Sequence, residues 1–156
     1  MSATCQRQSG LTLLESLIGL TIIMILAGVA IWPFRALRDE QLLKGAVEDV
    51  LSVLNNARAQ TLAGSAQSQY GVHFENDTIT LFRGDMYPGV TEQIITLPPR
   101  VVFGAISLAG GGAEVVFQRL TGATTQTGSV VVELASDATK RRVVEIYSSG
   151  LINETP

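Results

Sequence analysis

"RQSGLTLLESLIGLTIIMILAGVAIWPF", Arg7 to Phe34, carries one carboxylate in an otherwise apolar run: Glu15 is the only charge between Gly10 and Arg35. An α-helix rises 1.5 Å per residue, so residues 11–34 would extend about 35 Å, enough to cross a hydrocarbon core of about 30 Å. The run therefore predicts a membrane-crossing helix over 11–34. Trp32 and Arg35 suit its exit, with the indole at headgroup level and the cation in water. Pro33 lacks an N–H and crowds the preceding turn, which predicts a helix bend there.

Three readings of this run compete. A secretory signal peptide would use Gly28-Val29-Ala30 as its small-x-small cleavage site, but the run exceeds the roughly 7–15 residues of an ordinary signal core, and Arg7 is the sole side-chain charge ahead of it. A plain anchor would use Thr12-Leu13-Leu14-Glu15 as a capping box, with Glu15 in the positive end of the helix dipole. That explains Glu15 and is indifferent to Gly10. The third reading rests on a resemblance: "GLTLLE", Gly10 to Glu15, is similar to the class III signal of type IV pilins and pseudopilins, which implies that a short polar leader is cut after Gly10 and the apolar segment kept, and so uses both residues; glycine, without a Cβ, lets the backbone approach a protease closely.

The rest of the chain is an ordinary domain. Its 156 residues are 46% hydrophobic with a formal net charge of −3, room for one modest domain beside the apolar run. A pI near 5.1 argues against a dedicated nucleic-acid binder, which needs a basic face to neutralise phosphates. The only basic run, Lys140-Arg141-Arg142, reads as a solvated strand entry. Cys5 is the single cysteine, so no intrachain disulfide forms.

After the proline, Leu43, Val47, Val50, Leu54 and Ala57 recur in steps of four and three, the stripe of an amphipathic helix. Glu40, Lys44, Glu48 and Asp49 line its other face, and Gly64 is placed to cap its end. From Ser68 the period becomes two. In "YGVHFENDTITLFRG", Asn76-Asp77 is a turn that sets Phe74 opposite Ile79 and Val72 opposite Leu81, with His73, Glu75 and Thr80 on the other face. Further strands are expected over 93–97, 101–108, 114–119, 129–134 and 142–147, and Gly110-Gly111-Gly112 reads as a hairpin connection rather than a phosphate loop. The predicted fold class is α+β: a long N-terminal hydrophobic helix packed on an antiparallel β-sheet domain. Its expected divisions are 1–10, a cleaved leader; 11–34, the transmembrane half of the helix; 35–64, its amphipathic half; and 68–156, the globular β domain.

"GLTLLE" closely resembles the class III signal of type IV pilins and pseudopilins. "LNNARAQTLA" looks like the end of the same helix in pseudopilin H of type II secretion and in related minor pilins, and the order "VVFQRLTGATTQTGSVVVEL…RRVVEIYSSGLINE" is similar to their C-terminal half. The resemblance implies cleavage between Gly10 and Leu11 by a prepilin peptidase, N-methylation of Leu11, and assembly through Glu15. In the family a neighbour's new α-amine pairs with this glutamate. The physics agrees, because a carboxylate at a bilayer centre costs roughly 2.5–3.5 kcal/mol. Leu11 stands where phenylalanine or methionine is commonest, and the proline expected at position 32 stands at Pro33.

The function expected is a structural subunit of a type IV pilus or type II secretion pseudopilus, a minor pilin or pseudopilin. It would sit as a single-pass protein in the cytoplasmic (inner) membrane with its C-terminal domain extracytoplasmic, and then join a filament. Its partners would be other pilin subunits, the prepilin peptidase/N-methyltransferase, membrane lipid and an assembly platform. Arg35, Arg38 and Lys44 follow the span and vote for the opposite orientation, but the peptidase needs the leader in the cytoplasm. No enzyme, cofactor or metal site is expected, with one histidine and no nucleophile turn. In some DNA-uptake relatives basic residues follow the last glycine; here Gly150 precedes Leu151, Ile152 and Asn153, so nucleic-acid binding is not expected there. The alternative is a membrane-anchored, extracytoplasmic β-domain binding module that keeps its first ten residues and does not polymerise.

Overall fold

The computed structural model describes residues 12–155, and of residues 29–36 the backbone alone. The chain forms two compact units, up to Arg38 and from Asp39 onward. One helix, α1 (Leu13–Leu62), passes through both.

In the first unit, residues 13–26 carry apolar side chains around the whole helix, with Glu15 the one charge among them, and the large ones are exposed, from Leu13 (85%) to Leu26 (64%). Among the described residues no helix is long and apolar enough to cross a membrane. The helix runs uninterrupted past position 33; the side chains of 29–36, and with them the expected Pro33 bend, lie outside the described residues.

In the second unit the four-three stripe is the core side of α1. Leu43, Val47, Val50, Leu54 and Ala57 are buried, joined by Ala46 and Val53, while Glu40, Lys44 and Glu48 are exposed. An amphipathic helix gains most of its stability from burying such a stripe. Just past the end of α1, Gly64 takes the left-handed conformation (φ 66), which costs a residue without a Cβ nothing, donates its N–H to Thr61 O, and leads into a short 3₁₀ turn, Ser65–Gln67. The buried Thr61 hydroxyl donates to Ala57 O and accepts the N–H of Tyr70, tying the last helical turn to the first strand.

Eight strands follow: β1 (Tyr70–Glu75), β2 (Thr78–Arg83), β3 (Val90–Thr96), β4 (Val101–Leu108), β5 (Glu114–Phe117), β6 (Gly128–Leu134), β7 (Asp137–Ile146) and β8 (Ile152–Thr155). They form two antiparallel four-stranded sheets, ordered β3-β2-β1-β5 and β4-β6-β7-β8. The first hairpin has the expected register, with Val72 opposite Leu81 and Phe74 opposite Ile79. Side chains from both sheets close on the α1 stripe in one core, where Phe74 meets Phe103 edge to face.

One reading is corrected by the sheet order. The triple glycine is not a hairpin connection: β4 and β5 do not pair but belong to different sheets, so residues 110–112 carry the chain between layers. On the outer face of the first hairpin Thr80 and Phe82 are buried, and the loop before β3 lays Tyr87 flat on His73 (ring centroids 3.9 Å apart). The short C-terminal strand β8 was not anticipated; four residues are too few to show a period.

Candidate processing and assembly site

Of the residues singled out as a site, Gly10 and Leu11 lie outside the described residues. Glu15 is in the first turn of α1, exposed, and its N–H donates to Thr12 Oγ1 at 3.3 Å. Ser16 N–H donates to Thr12 O at 3.1 Å, the first helical hydrogen bond. Thr12 is therefore the helix N-cap, holding a donor that a helix start leaves unpaired. Only half of the capping box is made: the cap uses the backbone of Glu15, and its carboxylate has no hydrogen-bond or ion-pair partner among the described residues.

Sequence reasoning missed Arg58, inside the quoted "ARAQ". Its Nε donates to Gly122 O at 3.3 Å and its Nη2 to Ser149 O at 3.4 Å, pinning the β5–β6 and β7–β8 connections to the end of α1. Gly150 (φ 74) completes the joint, because a Cβ there would collide with Gly122 O. The signal was present as an arginine on the half-buried side of an amphipathic helix, but its acceptors are backbone carbonyls, which no sequence pattern announces.

The basic run on β7 is also more than a solvated entry. Asp39, with only 13% of its side chain exposed, faces Arg100 at 3.0 Å and Lys140 at 3.8 Å. No donor points directly at Asp39 Oδ1, so the Arg100 contact is an ion pair rather than an aligned hydrogen bond. Arg142 bridges Glu154 at 2.7 Å and Glu40 at 3.9 Å. The network joins the start of the amphipathic helix to the turn before β4 and to β7 and β8.

Two surface groups have displaced proton affinities. Hydrogen bonds from the Thr139 hydroxyl and N–H hold the Asp137 carboxyl below its usual value, against a small opposing effect of desolvation. The hydrogen bond from Tyr147 to Glu145, with that group's charge, raises the phenol. Neither belongs to a catalytic arrangement. Among the described residues no group of three or more His, Cys, Asp or Glu is placed to hold a metal ion, and His73 carries a stacking contact.

Residues 5–31 match the family model described as a prokaryotic N-terminal methylation motif. Two crystal forms of the type IV minor pilin FimU from Pseudomonas aeruginosa PAO1 share the fold. Their TM-scores are 0.56 and 0.57 at 14% and 13% identity, covering 73% of this chain and 93% and 88% of theirs. No curated protein matches by sequence. The chain thus carries a prokaryotic N-terminal methylation motif at one end and, after it, a fold shared with a type IV minor pilin.

Proposed function

We propose that the chain is a filament subunit, a minor pilin or pseudopilin, cut between Gly10 and Leu11, methylated on Leu11, held in the cytoplasmic membrane through residues 11–34 and assembled through Glu15. The observation that carries the reading is the conjunction of a methylation motif over residues 5–31 with a minor-pilin fold. The half-made cap supports it further. If Glu15 served only the helix start, its backbone bond to Thr12 would suffice, and an alanine there would make the same bond. A carboxylate kept in an apolar segment carries a desolvation cost that a neighbour's cationic α-amine offsets. The role is structural, not catalytic, and its partners are other subunits, the processing enzyme, lipid and the assembly platform.

The decisive experiment is the intact mass of protein extracted from membranes of cells that carry a matching prepilin peptidase. Loss of the first ten residues plus one methyl group is the expected result. An unaltered N-terminus, or loss up to Ala30, would overturn the reading in favour of a plain anchor or a secretory signal.

A further inference from the structure

Each sheet has two edges, and three of the four are closed to pairing. β5 and β8 have four residues each. β4 is longer, but its register breaks between Phe103 and Ile106, and the β1–β2 turn reaches onto it, with Phe103 N–H donating to Asn76 O at 2.8 Å. Short edges, bulges and covering loops are how sheets avoid unwanted partners.

β3 is different. Six of its seven residues are exposed, all but Ile95. Five of the seven, Val90, Thr91, Ile94, Ile95 and Thr96, are β-branched, the side chains that suit an extended strand. Val90 and Ile94 are 54% and 63% exposed, apolar surface on both halves of the edge. Pairing with β2 uses alternate backbone groups of β3 and directs the rest outward. Its protection is confined to the first half: a register shift leaves Glu92 unopposed, and Glu92 ion-pairs with Arg83 at 3.2 Å. Gln93 to Thr96 has no charge, no proline and no bulge.

We propose that the open edge of β3 is a homotypic docking edge, to which a second copy of this chain adds its own β3 antiparallel, centred on Ile94. The strand's own sequence argues for this occupant. With Ile94 opposite Ile94, Gln93 faces Ile95 and Glu92 faces Thr96, so the strand's single charge meets a hydroxyl, no like charges oppose, and the apolar pair lies at the centre. Such a contact is isologous and closes as a pair. One strand pair buries less than the roughly 1,200 Å² of a standard interface, so the pair is weak and exchanging in dilute solution. It is independent of leader processing and of Glu15, and can be tested without either.

Among the described residues all those of the buried core lie between Leu43 and Ile146, so residues 39–156 carry their own core; the fragment also has no cysteine, the only one being Cys5. In this fragment Ile94→Cys should oxidise in air with a copper catalyst to a covalent dimer about tenfold faster than the exposed control Ala138→Cys, because pairing raises the local thiol concentration. Amide shifts in the unmodified fragment should depend on concentration along β3 alone, and Ile94→Lys, at an exposed position, should remove that dependence. Equal rates for the two cysteines, or shifts that do not map to β3, would overturn the proposal while leaving the mass test of processing untouched.

Discussion

α1 contains two apolar stretches that differ in how their residues are spaced. Leu13 to Leu26 carries apolar side chains around the whole helix, with Glu15 its one charge, and is exposed, with Leu17 at 58% and Ile25 at 66%. Between Leu43 and Ala57 the apolar residues fall on one stripe, and Val47, Val50 and Leu54 are fully buried by the chain's own sheets. A stripe can be covered by one neighbouring layer; a helix apolar all round needs apolar surroundings on all sides, which lipid or packed helices provide. The second stretch makes the core; in the proposed role the first meets lipid or the helices of other subunits.

The sharpest test of that division is Glu15→Ala. We expect incorporation into sheared filaments to fall by at least about tenfold, the size of coupling a charge pair in a poorly solvating site supports. Leader cleavage, read by mass, and the thermal unfolding of the globular unit should not change. Normal assembly of this variant would remove the functional distinction between the two stretches.

Leu54→Ala should do the reverse. Loss of a fully buried leucine is expected to destabilise residues 39–156 by about 2–5 kcal/mol in denaturant unfolding, while Leu17→Ala in the full chain leaves that transition in place. Similar effects from both substitutions would show that the first stretch also supports the core.

A smaller effect is expected at the Arg58 joint. Gly150→Ala adds a Cβ in a left-handed conformation against Gly122 O and should cost about 1–3 kcal/mol. Arg58→Met keeps most of the packing and loses two hydrogen bonds to carbonyls, about 1–2 kcal/mol. Unchanged unfolding midpoints in both would show that the two connections are held by other contacts.

The smallest effect concerns the exposed turn at Asp137. Its carboxyl titrates lower in the folded state, so the turn's contribution is present above the unfolded value of about 3.9 and is lost as pH falls through the lower folded value. Thr139→Ala should raise the Asp137 titration midpoint seen by NMR and weaken only the acid limb of the stability profile. An unmoved midpoint would mean that Thr139 does not hold the carboxylate.

The helix, its buried stripe, its Gly64 end and the first hairpin were legible in the sequence because each is set by residues a few positions apart: steps of three and four, alternation, a glycine at a terminus, a two-residue turn. The methylation motif over residues 5–31 was legible for the same reason, being a contiguous run of residue types. What α1 packs against was decided only by the tertiary structure. The division of the strands between two sheets, the passage of residues 110–112 from one layer to the other, and the grip of Arg58 on carbonyls 64 and 91 positions away depend on which distant segments the core brings together. Local spacing reports which face of an element is apolar; it does not report the neighbour that covers that face, because many strand orders bury the same side chains and only close packing of the whole selects one.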